Sequence, residues 1–176
     1  MPALMRINYN GLVMNAPDFI PEALSTWRVN NKTNLLLLDS ISKKGLLLEP
    51  SGPRARNIAQ IFAHMYHARI GWVRWHDSSA AAGMTRFVKG TVPSRAELKR
   101  ALNTSAQMIE RFLERAFQGE AKIKSFQKQP VRFMTYLIMH EAHHRGQIVF
   151  ALKHSGMRLP KAVAEQLWEM WFWGKE

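Results

Sequence analysis

The chain has 176 residues, 47% of them hydrophobic and nine Phe and six Trp among them, which suits one packed domain spanning 1–176 and excludes a disordered tail. It has no Cys, so a disulfide frame and a thiolate metal site are both excluded, and a soft metal must be held by imidazole or oxygen. A formal net charge of +12 attracts anions without choosing among nucleic acid, a membrane surface and small acidic substrates; Lys and Arg are scattered, with no block of five, so nucleic acid is possible but not favoured.

The opening MPALMRINYNGLVMNAP lacks a basic stretch followed by an apolar run and a small-residue cleavage site. No 18-residue apolar window follows, and the expectation is a cytoplasmic protein without membrane contact. Nothing alternates like a strand, whereas four stretches carry apolar residues at helical spacing, which predicts an all-α four-helix bundle. The first helix is predicted from Pro21 to Ser42, with Leu24, Trp27, Leu35, Leu38 and Ile41 as its stripe; Asn30, Asn31 and Asn34 weaken that reading.

A second helix is predicted to start near Pro53, a residue suited to a first helical turn, with Ile58, Ile61, Phe62, Met65, Ala68 and Trp72 facing the core. The third opens on Ser94-Arg95-Ala96-Glu97, a capping box, and ends near Gly119. The fourth runs from Pro130 to about Ser155, with Gly156 as its C-terminal cap. A short tail helix with Trp168, Trp171 and Trp173 is expected to pack across an end of the bundle; left exposed, so much aromatic area would point to a homodimer interface.

The fourth helix holds the chemistry. At about 100° per residue, His144 lies roughly 40° from His140 and Gln147 roughly 20° on its other side, on the face that carries Phe133 and Ala151. His143 reaches the same place less easily and is expected at the rim. Glu141 and Arg145, four apart and turned away from His140, are expected to form an ordinary ion pair on the outer surface. A third imidazole must come from a neighbouring helix, where His64 lies at the edge of the buried stripe and His67 is turned toward the opposite side. Two imidazoles buried side by side need a shared partner, and three from two helices leave open coordination positions suited to Zn, Ni or Fe.

The segments HEAHHRGQI and LKHSG, with NIAQIFAH upstream, resemble the DinB/YfiT-like superfamily of metal-binding four-helix bundles over residues from about 20 to 156. That resemblance implies a divalent metal on one His of the second helix and two of the fourth, at positions matching His64, His140 and His144. It also implies a metal-dependent thiol S-transferase or hydrolase, with a low-molecular-weight thiol as cosubstrate beside a small-molecule substrate, and a homodimer. Gln147 and His143 are the residues expected behind the ligands.

Two other readings compete. His140-Glu141-x-x-His144 satisfies the zinc-peptidase motif, with Glu141 as general base and Glu165 or Glu169 as a further ligand, although no strand is predicted to hold an extended substrate. Alternatively, the bundle holds a metal for stability alone, or binds an anion or nucleic acid through its basic surface.

Overall fold

The computed structural model describes residues 7–9, 12–14, 16–50 and 56–174. Helices dominate: α1 (Ala16–Ser40), the single turn α2 (Lys43–Leu46), α3 (Ile58–His76), α4 (Arg95–Phe117), α5 (Pro130–His154) and α6 (Lys161–Trp173). Helices α1, α3, α4 and α5 form the bundle, with α1 and α3 each packed against both α4 and α5, and α6 laid along α1. This is the all-α bundle the sequence predicts, preceded by a small antiparallel hairpin of β1 (Ile7–Tyr9) and β2 (Leu12–Met14) in the register Ile7↔Met14. Three-residue strands are too short for alternation to register in sequence.

The helix boundaries follow from local chemistry. Helix α1 begins five residues before the predicted start and carries Pro21 inside it. The predicted start of the second helix at Pro53 lies outside the described residues; α3 begins instead at an Asn57 cap, whose side chain accepts from Gln60 N–H while the Gln60 side chain accepts from Asn57 N–H. Ser94 and Glu97 form the expected box at the head of α4. Gly119 and Gly156 follow their helices at φ of 80° and 72°, the left-handed conformation in which a Cβ is disfavoured.

Fully buried Trp27, Phe62, Phe112, Phe133 and Leu37 fill the centre. Trp27 also ties α1 to α4, its indole N–H donating to the Ala106 carbonyl at 3.0 Å. Before α5 the chain makes one turn, Phe126–Lys128, with all three residues at positive φ, a costly conformation without glycine. Packing of the Phe126 ring against Trp72, Phe133 and Tyr136 holds that turn in place.

Candidate metal centre

Helices α3 and α5 lie side by side, so the rows they turn to each other decide what meets. His64 comes from α3, and His140 and His144 come from successive turns of α5. Ring centroids are 5.2 Å apart for His64 and His140, 4.9 Å for His64 and His144, and 4.6 Å for His140 and His144. One nitrogen from each ring can be chosen so that all three lie within 4.8 Å of one another. His144 is buried, and His64 and His140 are partly open to the surface, so the cluster has a deep side and an accessible one.

The hydrogen bonds fix how the rings present themselves. His144 Nδ1 lies 2.8 Å from Gln147 Oε1; with that oxygen accepting, the ring proton sits on Nδ1 and the lone pair of Nε2 turns inward. Nε2 of His144 is 3.2 Å from Nε2 of His140. Nδ1 of His140 is buried with no hydrogen-bond partner. Tyr136 stacks on His140 at 6.1 Å, and Trp72 meets Tyr136 edge-on.

Burial keeps the three imidazoles neutral. His64 is lowered from 6.5 to about 4, first by desolvation and then by the charge of Arg56 and its histidine neighbours. Desolvation likewise lowers His140, against the nearby charge of Glu141, and lowers His144, against the Gln147 hydrogen bond. Neutral imidazoles with no carboxylate among them are a donor set that accepts a divalent ion without first losing protons.

Of the five histidines near this site, two are left out. His67 Nε2 accepts the Phe87 N–H at 3.0 Å and so anchors the segment before α4. His143 is exposed, its ring 5.3 Å from His144, at the rim where the helix geometry puts it.

Glu141 and Arg145 overturn their expectation. Glu141 is fully buried, with Arg69 of α3 donating to both of its oxygens at 2.6 and 2.9 Å, and Asn30 and Asn34 of α1 each donating to Oε2 at 2.6 Å. Arg145 donates to the side-chain oxygens of Asn30 and Asn34, at 2.8 and 2.7 Å, rather than to Glu141. The physical reason lies in the α5 stripe, which runs Phe133, Leu137, Glu141, His144, Ile148 and Ala151 and so centres on Glu141 rather than on His140.

Burial would raise the Glu141 carboxyl, but the Arg69 charge and the hydrogen bonds of Arg69, Asn34 and Asn30 outweigh it and hold the group below its ordinary value. The carboxylate is thus fully engaged and has no free oxygen for a water, which removes the general base of the peptidase motif. Glu165 pairs with Lys161 on the exposed side of α6, and neither it nor Glu169 joins the histidine cluster.

Sequence reasoning missed Arg69, whose remaining Nη1 donates to Asn31, the Leu102 carbonyl and Ser105, and whose guanidinium lies 4.9 Å from the Trp27 ring. A signal existed: Arg69 lies at the core spacing of Phe62, Met65 and Val73, as Glu141 does between Leu137 and Ile148. It also missed buried His76, whose Nδ1 accepts the Lys124 N–H among the rings of Phe112, Phe126 and Phe133.

A helical bundle with three convergent imidazoles, two from one helix and one from its neighbour, defines a class of protein suited to holding a metal ion. The DinB family profile matches residues 14–171, and the chain belongs to that family. No curated protein matches the sequence. Among the described residues, no helix is long and apolar enough to cross a membrane.

Proposed function

We propose that the protein is a divalent-metal-dependent enzyme, of thiol S-transferase or hydrolase type, in which His64, His140 and His144 hold Zn, Ni or Fe. The observation that carries the reading is the convergence of three neutral imidazoles with no carboxylate and one accessible side. The donor set fits such an ion. Two imidazoles bound at about 2.0–2.1 Å on a tetrahedral ion stand roughly 3.4 Å apart. The Nε2 atoms of His140 and His144 are 3.2 Å apart.

A bound ion would keep most of its double charge and lower the pKa of a thiol or water beside it. The protein's own part is positional. Gln147 holds the His144 tautomer, Tyr136 and Trp72 wall the accessible side, and His143 stands where it can meet an arriving substrate. A low-molecular-weight thiol is the proposed cosubstrate. A homodimer is part of the same proposal, supported by the exposure of Trp168, Phe172 and Trp173 on α6, where only Met170 is buried against the bundle.

The test is metal content by mass spectrometry on tag-free protein, beside Ala variants of His64, His67, His140, His143 and His144. About one equivalent, lost with His64, His140 or His144 and kept with the other two, is the expected outcome, followed by thiol-transfer and hydrolysis assays abolished by His144→Ala. No retained metal and no uptake of Zn or Ni would sink the reading.

A further inference from the structure

Two grooves meet at His64 on the outer side of α3. One, of about 420 Å³, runs toward Phe87 and Lys89; the other, of about 520 Å³, runs along α3 to Trp72 and Trp75. Arg56, His64, His67 and Arg86 line both, so the two are halves of one trough. Among the described residues no Asp or Glu lines either half. Among the described residues no carboxylate pairs with Arg56 or Arg86, in contrast to Arg28, Arg69 and Arg115, which have Glu110, Glu141 and Asp77.

The fold leaves room for this arrangement. A Cβ on Gly71 would stand 3.1 Å from Arg86 Nη2, so the missing side chain lets the guanidinium lie against α3, two turns from His64. His67 is fixed as a neutral acceptor by Phe87 N–H and adds no charge of its own. At the head of α3 the N–H groups of Asn57, Ile58 and Gln60 are taken by Gln60, the Leu48 carbonyl and Asn57, and the charge the trough presents is that of the guanidinium forks. Two uncompensated guanidinium groups, aromatic walls and no carboxylate make a site for a small organic dianion.

We propose that Arg56 and Arg86 form a carboxylate-binding trough leading to the three-histidine centre, and that the substrate or cosubstrate is a small molecule carrying two carboxylates. The site of reaction rests on the metal-enzyme reading; the anion site does not, and the two are tested apart. The trough uses the geometry of two residues, whereas the +12 charge of the whole chain would attract any anion anywhere.

The experiment is calorimetric titration of the metal-loaded full chain with succinate, its neutral diamide and inorganic phosphate, with metal content measured on the same samples. Succinate is expected to bind and the diamide not, with Arg56→Gln and Arg86→Gln each weakening succinate roughly tenfold or more. Arg111→Gln, an exposed change on α4 at a residue that lines neither half of the trough, is expected to leave binding unchanged. Equal binding of succinate and diamide, or equal weakening by all three variants, overturns the proposal. Phosphate bound through the two arginines with succinate refused overturns the carboxylate assignment. Succinate binding that depends on the arginines in protein unable to hold metal leaves the trough standing and fails the metal-enzyme reading; metal retained without succinate binding does the reverse.

Discussion

Helix α5 carries two polar clusters on adjoining faces, and they differ in how fully their bonding capacity is used. Around Glu141, Arg69 and two asparagines meet a buried carboxylate, with Arg145 at the edge bonded to both asparagines, and each carboxylate oxygen and each guanidinium nitrogen of Arg69 has a partner. Around His140 and His144, the ring nitrogens face one another and one has no partner at all. A saturated network can hold helices in register, because exchange of any member strands the others. An unsaturated cluster opening on the surface does little for the fold and is poised to take up something from outside.

The largest effect should come from the saturated side. Glu141→Ala leaves Arg69 buried and unpaired and is expected to cost about 3–5 kcal/mol in chemical denaturation, while the double change Arg69→Met with Glu141→Leu should cost less than the single one. If Glu141→Ala were nearly neutral, the network would not be what holds α1, α3 and α5 together. By contrast, His144→Ala in metal-free protein should leave stability close to wild type. Its effect appears on adding metal: the wild type should gain about 2.7 kcal/mol at a free metal concentration 100 times Kd, and the variant should gain nothing, as read by thermal shift.

A smaller effect separates the ligands from their support. Gln147→Leu removes the partner of His144 Nδ1 and is expected to weaken metal binding roughly 10–100-fold without abolishing it, measured by competition with a chelator. The smallest concerns His76, which belongs to neither cluster. Burial, then the Lys124 charge, lowers it from 6.5. Between that lowered value and 6.5 the unfolded chain takes up a proton that the native chain does not, so stability rises with pH there and is lost as pH falls below 6.5. His76→Leu should flatten the acid side of the stability profile of metal-free protein.

Much of this was written along the chain. The capping box at Ser94 and the glycines after α4 and α5 act within a few residues of themselves, so their effect is local and readable. The same holds for His140, His144 and Gln147, since an α-helix sets the angle between residues three and four apart whatever surrounds it. His64 was legible in combination, as the histidine at the edge of its helix's apolar stripe. The hairpin was not legible, its strands being too short to leave a period.

The absolute orientation of α5 was decided only by the tertiary structure. Helical spacing gives relative angles, and a stripe that includes a glutamate looks off-centre until its partners are known. Those partners lie far off in sequence, Asn30 and Asn34 on α1 and Arg69 on α3, and burial of Glu141 is affordable only once all three converge on it. The trough beside His64 has the same origin: Arg56 and Arg86 are thirty residues apart, and only the packing of the segment before α4 against α3, tied down by the Phe87–His67 hydrogen bond, brings them to one place. The sequence by itself determined the helices and the histidines that share a face of α5; which charges are buried, and which are left facing the site, depended on contacts between helices that no local spacing encodes.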